Sequence, residues 1–401
     1  MQLQTQKPDH VPADRVVEFD IFNPPGVEQD YFAAWQTLQA PGVPALIWTP
    51  CNGGHWIATS GQCVRDLWAD AGRLSSTALS VTPGLGEVMQ FIPLQQDGQE
   101  HHDSRLPIMK GLASRFIVAL EPQVEEVARE LIGGLKDKGQ CEFMTEFAEI
   151  LPLHIFLTLI GVPVEDRARL RPLGEQLTRP DGSMTVEQLR DAADAYLAPH
   201  IRARMENPGS DLFSRILSEP VAGRAWTVDE AKRMCRNLLF GGLDTVVSMI
   251  GMIALHLARH PEDQHLLRER PDLIPQAADE LMRRYPTVSV SRNAVEDMVV
   301  DGVTIRKGEI VYLPSVLHNL DPASFETPET VDFARGLNPA RHTTMGVGPH
   351  RCVGAGLARM EVIVFLREWL ESIPKFRLDP ERPVKMRGGN VGSCTAVNLR
   401  W

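Results

Sequence analysis

The stretch MGVGPHRCVGAGLARME, residues 345–361, places one cysteine in an irregular, glycine-rich segment. Cys352 follows Pro349, His350 and Arg351, and glycines stand at 346, 348, 354 and 356. Glycines let backbone N–H groups approach a sulfur atom closely, and a helix that begins just after the cysteine would direct its positive end at it. A lone cysteine is usually a small buried apolar residue. The composition of this loop instead indicates a position that requires an irregular backbone close to the sulfur.

Composition and charge narrow the class of protein. The chain has 401 residues, 43% of them hydrophobic, and a net charge of -11, so a large core is available and nucleic-acid binding is not expected as the main activity. Its six cysteines show no paired spacing, which argues against a disulfide framework or a structural zinc site. The N-terminal residues are polar and acidic and do not resemble a signal peptide or membrane anchor. We therefore expect a cytoplasmic protein.

Hydrophobic patterning predicts one mainly α domain, residues 1–401, with a smaller β-rich part contributed by both ends of the chain. Two apolar runs around Asn52-Gly53-Gly54 predict a hairpin within 44–60. Apolar spacing of i, i+3 and i+4 predicts a helical body over about 100–290 and a helix over 353–372. Strand-like patterns return at 297–314 and 376–401.

The longest predicted helix is TVDEAKRMCRNLLFGGLDTVVSMIGMIALHLARH, residues 227–260. It begins with a capping box, Thr227 and Glu230, and contains no proline before 261. Its middle holds Gly241-Gly242 followed by Asp244-Thr245, all poor helix formers. The glycines are consistent with close helix packing. The threonine hydroxyl can also capture a backbone carbonyl and open the helix, so a groove with a carboxylate and a hydroxyl is a possible route for protons.

Four features, in this order and spacing, resemble the cytochrome P-450 superfamily of haem-thiolate monooxygenases over nearly the whole chain. The GGLDT segment, residues 241–245, resembles the family's oxygen-activating helix segment. Glu280 and Arg283 match its E-x-x-R pair, with Arg335 as a third member. GVGPHRCVG matches its cysteine-ligand loop. The remaining feature is a set of residues where the family places partners of the haem propionates: His101, Arg105, Arg292 and His350.

The resemblance is closer to the soluble bacterial camphor-hydroxylase subfamily over most of residues 80–401. It implies the cytochrome P-450 fold, with a long central helix over a buried haem b. It also implies that Cys352 is the axial iron ligand, that Gly241 lies at the cofactor, and that Asp244 and Thr245 deliver protons. The network of Glu280 with its two arginines is expected to be structural.

The resemblance also predicts the substrate pocket, and this sequence departs from the subfamily there. Met89 replaces a tyrosine that hydrogen-bonds the substrate ketone, and Ser80 replaces a phenylalanine wall. Asn237 and Asn390 are candidate new polar contacts, and Met345 replaces the usual phenylalanine of the cysteine loop, which leaves the reduction potential open. The full predicted pocket is Ser80, Met89, Asn237, Leu238, Val288, Val290, Asn390 and Val391. We expect a small, mostly apolar substrate, such as a terpenoid or norisoprenoid ketone.

The expected electron donor is a small acidic iron-sulfur ferredoxin, itself reduced by a NAD(P)H-dependent reductase. It would dock near Arg105, Arg341 and Arg351, and residues 341–351 contain no acidic side chain. Two alternative functions also require haem. One is a peroxygenase that uses hydrogen peroxide, and the other is a haem-binding sensor without turnover. A haem-free hydrolase that uses Asp244 and a histidine has no nucleophile motif to support it.

Overall fold

The computed structural model describes residues 4–336 and 341–401. Helices dominate this part of the chain. Their bounds are α1 (Tyr31–Gln36), α2 (Gly61–Ala69), α3 (Leu85–Met89), α4 (Gly98–Gly111), α5 (Ser114–Leu135), α6 (Ile150–Ile160), α7 (Arg167–Thr178), α8 (Val186–Glu206), α9 (Leu212–Ser218), α10 (Val228–Leu243), α11 (Thr245–Arg259), α12 (Pro261–Glu269), α13 (Ile274–Arg284), α14 (Ser315–Asn319) and α15 (Ala355–Ser372). The mainly α class predicted from the sequence is confirmed.

The strands lie in three parts of the chain, residues 46–75, 289–314 and 377–400, with one further strand at residues 140–142. They are β1 (Leu46–Thr49), β2 (His55–Ala58), β3 (Leu74–Ser75), β4 (Gln140–Glu142), β5 (Ser289–Ala294), β6 (Met298–Val300), β7 (Val303–Ile305), β8 (Ile310–Pro314), β9 (Arg377–Leu378), β10 (Lys385–Arg387), β11 (Ser393–Ala396) and β12 (Asn398–Arg400). A five-stranded sheet has the order β1-β2-β8-β5-β3, and a three-stranded sheet has the order β4-β12-β9. The predicted hairpin is β1 and β2, which pair antiparallel with Trp48 opposite Trp56.

The central helix predicted over 227–260 is two helices. The Thr227 hydroxyl and the Glu230 carboxylate form the expected capping box at the start of α10. The backbone leaves helical geometry at Asp244, whose φ and ψ are -133° and -29°, and α11 starts at the next residue. This interruption opens the groove that the poor helix formers predicted.

The two glycines before the break have different surroundings. A Cβ on Gly242 would lie 2.5 Å from the ring of Phe156, so α6 packs here against the bare backbone of α10. A Cβ on Gly241 would meet nothing within 4 Å, since this face of the helix borders open space. Both readings of the glycine pair, close packing and an open groove, are therefore correct, one for each residue.

The core lies around this helix pair. Within the described residues α10 and α11 together form the one stretch long and apolar enough to cross a membrane, but 78% of its most apolar window is buried inside the protein. Helix α15 packs along α5, and the aromatic cluster of Phe143, Phe147, Phe365 and Trp369 fills the space beside them. The fold therefore encloses the helix break and the start of α15.

Candidate active site

A cavity of about 390 Å³ is lined by residues of α10, α11, β5 and the start of α15. Its lining contains Cys352 together with every residue predicted from the resemblance to contact the cofactor: His101, Arg105, Gly241, Arg292 and His350. Thr245 also lines it. The structure therefore brings to one space side chains that lie more than 200 residues apart in the sequence.

The cysteine loop is folded tightly around the sulfur. The Cys352 N–H donates to the Met345 carbonyl at 2.7 Å, and Gly346 and Gly348 have φ values of +75° and +69°, which disfavour other residues. Burial raises the pKa of the Cys352 thiol, while the N–H groups of Gly354 and Ala355 and two nearby arginines lower it. The expected helix begins at Ala355. A metal ion bound at the sulfur would favour the thiolate form.

Buried cationic and imidazole groups lie at the same cavity. Arg292 is 6% exposed and donates to the Ser291 carbonyl at 2.8 Å, and burial lowers its pKa to about 10. Burial, with His350 and Arg105 acting in the same direction, lowers the pKa of His101 to about 4. The rings of His101 and His350 are 4.0 Å apart, and the His350 Nε2 lies 3.5 Å from the Asp97 carboxylate.

The three residues predicted to form a charge network do so. Arg283 donates through Nε and Nη2 to the two oxygens of Glu280, both at 2.8 Å, and Arg335 Nε donates to Oε1 at 3.1 Å. Arg283 is fully buried and also donates to the carbonyls of Asn319 and Pro328. The network joins α13 to the segment that leads to the cysteine loop.

At the helix break the two predicted catalytic side chains point to different places. The Thr245 hydroxyl donates to the Gly241 carbonyl at 3.1 Å and faces the cavity. The Asp244 carboxylate is buried outside the cavity lining, where it accepts from Arg179 and, at 3.1 Å, from the Thr178 hydroxyl. A separate space of about 20 Å³, enough for a water molecule, borders Asp244 and Ser248.

Known proteins resemble this chain along its full length. The family profile described as Cytochrome P450 matches residues 184–387. The probable cytochrome P450 127A1 of Sinorhizobium fredii is 33% identical over 98% of this chain and 96% of its own. The chain belongs to the cytochrome P450 family. Two solved structures share the fold of this P450: CYP101C1, with 73% identity, coverage of 99% and 100% and a TM-score of 0.92, and CYP101J2, with 37% identity, coverage of 99% of both chains and a TM-score of 0.90.

As a cytochrome P450 the protein uses haem b, and the cavity fits this group. Among the described residues the buried Nε2 of His101 has no hydrogen-bond partner, and Arg292 donates to a backbone carbonyl but forms no ion pair, which suits the two carboxylates of a porphyrin. Gly241 leaves open space where a side chain would otherwise stand, so a flat ring can approach α10. Cys352 would hold the iron through Sγ, which the cavity leaves accessible.

The predicted substrate residues divide into two groups. Those that line the cavity as predicted are Asn237, Leu238, Val288, Val290, Asn390 and Val391. The predictions for Met89 and Ser80 are wrong. Met89 is 0% exposed and is covered on all sides, so its side chain cannot contact a molecule in the cavity. Ser80 lies behind Asn390, to whose amide it is hydrogen-bonded at 2.9 Å.

The structure places further residues at the candidate site that the sequence did not indicate. Arg179 and Thr178, the partners of Asp244, lie in a helix end with no motif of their own. Phe91 and Leu85 line the cavity near the place predicted for Met89. Glu361 on α15 is buried at the cavity, and burial raises the pKa of this carboxyl well above its usual range. Only its position on the helix that follows Cys352 could have signalled it.

The predicted docking arginines are not equivalent. Arg341 is exposed, and its guanidinium lies 5.9 Å from the ring of Phe325. Arg351 is half-buried. Arg105 is turned inward, since it lines the cavity and donates to the Arg351 carbonyl. Arg65 donates to the Arg341 carbonyl at 2.8 Å and adds a further guanidinium to this face.

Proposed function

We propose that this P450 hydroxylates a small, mostly apolar substrate of the terpenoid or norisoprenoid class, with dioxygen and with electrons from an acidic ferredoxin. The observation that carries the proposal is the lining of the cavity beyond the cysteine. It is made mainly of apolar side chains, and Asn237 and Asn390 are polar residues placed among them. Such a surface favours ligands by burial of apolar area and orients them by one or two hydrogen bonds.

Haem b, when bound, supplies the iron at which dioxygen is activated, so that one oxygen atom enters a C–H bond of the substrate and the other leaves as water. The reaction consumes two electrons and two protons. The protein's own contribution is to position the substrate, exclude bulk water and move protons at stated atoms.

Proton movement is assigned to the helix break. The Thr245 hydroxyl faces the cavity, and the Asp244 carboxylate lies one residue before it on the side of the water-sized space. That space is also lined by Glu149, which directly precedes α6, and by Glu175 of α7, and both are paired with Arg171. We assign Asp244 to accept protons from this side and Thr245 to pass them into the cavity through its hydroxyl and an ordered water.

The substrate class is tested by titration of the purified haem protein with camphor and with β-ionone, a bulkier ring ketone, followed at the Soret band. Displacement of water from the ferric iron changes the spin state, and imidazole serves as the control that the iron is accessible. A large shift with β-ionone and a small one with camphor supports the proposed class. A response to imidazole but to neither ketone would falsify it.

The electron donor is proposed from charge. Arg341, Arg351 and Arg65 form a cationic face next to the cysteine loop on a protein whose net charge is -11. An acidic ferredoxin would be steered to this face, which adjoins the cysteine loop. The inward orientation of Arg105 makes it a cofactor contact in this proposal and removes it from the docking surface.

The peroxygenase alternative receives less support, because a peroxide-driven reaction does not require proton delivery to reduced dioxygen. The Asp244 and Thr245 pair is present with its own buried partners. Turnover with hydrogen peroxide in place of NADH, ferredoxin and reductase separates the two functions. We further propose that the protein acts in the cytoplasm, where its free cysteines stay reduced.

A further inference from the structure

One wall of the cavity is a short segment, residues 85–94, that contains α3 and the turn after it. Leu85, Phe91, Pro93 and Leu94 of this wall segment line the cavity. Its backbone hydrogen bonds run to residues between 82 and 96, so within the described residues they do not attach it to any other element. Side chains from outside the wall segment must therefore fix its position.

These side chains come from one face of α10, at positions 233, 236 and 237. Three carbonyl groups of the wall segment accept hydrogen bonds from them: Gln90 from Arg233 at 2.9 Å, Ile92 from Asn237 at 3.1 Å, and Met89 from Arg236. The wall segment is thus bound to the same helix that carries the catalytic break.

The physical need for these donors lies in α3. This helix has only five residues and ends at Met89, so its last carbonyl groups have no partner within the helix. Gln90 follows with a φ of +46°, in the left-handed region that ends helices. Guanidinium groups suit this negative helix end because they donate hydrogen bonds and carry a positive charge.

Arg236 differs from the other two donors because it joins three elements. It is only 3% exposed, forms an ion pair with Asp194 of α8 and lies 6.0 Å from the ring of Phe91. A buried guanidinium is costly unless it is paired and hydrogen-bonded, so its partners are strongly favoured to stay in place. Arg233, in contrast, is 29% exposed and its carboxylate partner Asp229 is 3.8 Å away.

We propose that Arg236 is a positioning residue for the substrate, which sets the position of the wall segment relative to α8 and α10. This inference rests on the proposed use of the cavity as the substrate site. Loss of the guanidinium leaves the Met89 carbonyl without this donor and removes the polar link that Arg236 makes between α8 and the wall segment. Phe91 then loses its fixed position in the cavity wall, and the wall segment opens more often.

Hydrogen exchange of the intact holoenzyme tests the opening directly and needs no substrate. In the Arg236→Gln variant we expect amide exchange in residues 85–92 to accelerate by about tenfold, as for loss of one charge-assisted hydrogen bond. Arg236→Lys keeps the charge with a single donor group. Its exchange rate in residues 85–92 is expected to lie between those of the wild type and Arg236→Gln. Arg190→Gln on α8, whose arginine is exposed and pairs with Asp191, is the control and leaves residues 85–92 unchanged.

A second measurement follows the cavity itself. Dissociation of 4-phenylimidazole, whose ring occupies the space above the iron, is expected to accelerate in Arg236→Gln, while dissociation of the smaller imidazole changes less. Equal acceleration of both would overturn the inference, because it would indicate loosening at the iron rather than at the wall. Exchange that stays unchanged in residues 85–92, or rises equally in α15, overturns it as well. Neither readout depends on which ketone binds, so failure of the proposed substrate class is recognised separately.

Discussion

Arg179 and Asp244 form a buried ion pair beside the break in the central helix, although they are 65 residues apart in the sequence. The two side chains are 8% and 9% exposed, and the second carboxylate oxygen accepts from Thr178. This pairing holds the carboxylate away from the cavity and next to the water-sized space at Ser248. Of the two predicted catalytic residues, Asp244 and Thr245, only Thr245 faces the cavity.

We expect Asp244→Asn to slow substrate-dependent oxygen consumption by roughly 100-fold, because an amide cannot accept and release protons. Asparagine keeps the size of the side chain and can still accept from Thr178. The spectral shift on substrate binding should therefore stay unchanged, which serves as the control. Steady-state oxygen uptake with saturating ferredoxin measures the effect. An unchanged rate would show that protons enter by another route.

Thr245→Ala is expected to separate electron consumption from product formation. Without the hydroxyl that faces the cavity, proton transfer to the site loses its last donor, and reduced oxygen leaves as hydrogen peroxide. The yield of product per NADH should fall by roughly tenfold while NADH oxidation continues. Thr245→Ser keeps a hydroxyl and should retain most of the yield. Equal yields in the alanine and serine variants would contradict the assignment.

Glu280→Gln should destabilise the protein strongly. The change removes the charge that two arginines share and leaves the guanidinium of Arg283 buried without compensation. Breaking a buried pair in this way lowers the free energy of unfolding by about 3–5 kcal/mol. Urea denaturation followed by circular dichroism, together with haem retention, measures it. Arg335→Gln removes a partner that is 13% exposed and should cost less; an equal or larger loss would show that Arg335 carries the network.

Reduction by an acidic ferredoxin should depend on salt. We expect the second-order rate constant to fall by about tenfold when the ionic strength rises from about 0.01 M to about 0.15 M. Arg341→Glu should lower the rate constant at low salt and weaken its salt dependence. Arg270→Glu, an exposed arginine that pairs with Asp272, is the control for charge reversal. Stopped-flow rates that do not respond to salt would rule out the cationic docking face.

The free energy of unfolding should decrease as the pH falls, because His55 is buried in its neutral form. Burial lowers the pKa of His55 to about 3 from an ordinary value near 6.5. Between these values the unfolded chain binds a proton that the folded protein does not, so stability is full above about pH 6.5 and falls as the pH decreases. Each such histidine contributes about 1.4 kcal/mol per pH unit.

His55→Gln should therefore reduce the slope of unfolding free energy against pH between about pH 5 and 6.5. Denaturation by urea at a series of pH values measures this slope. His102→Gln, an exposed histidine of α4, should leave it unchanged. Parallel slopes for the wild type and the His55 variant would show that His55 protonates in the folded protein.

Short-range signals account for what the sequence predicted well. Three features depend on residues within a few positions of one another. They are the β1–β2 hairpin, the capping box at Thr227 and the helix that starts after the cysteine loop. The charge network of Glu280 was recognised from its resemblance to a known motif, since the contact with Arg335 spans 55 residues.

The errors arose where a residue's role depends on which way a short segment turns. Met89 was predicted to contact the substrate, but its side chain in α3 is buried in the core, and Phe91 lines the cavity instead. A shift by two residues in an irregular segment is enough to exchange these roles. The sequence contains no periodicity there that could decide between them.

The sequence by itself determined the mainly α class, the cysteine loop and the interrupted central helix, because backbone preferences of glycine, proline and capping residues act locally. Only the tertiary structure decided which side chains share the cavity, that Asp244 is paired with Arg179, and that Arg236 ties the wall segment to α8 and α10. These contacts join residues 42 to 147 positions apart. Their partners are selected by the burial of charge in a particular packing, and that packing exists only once the whole chain has folded.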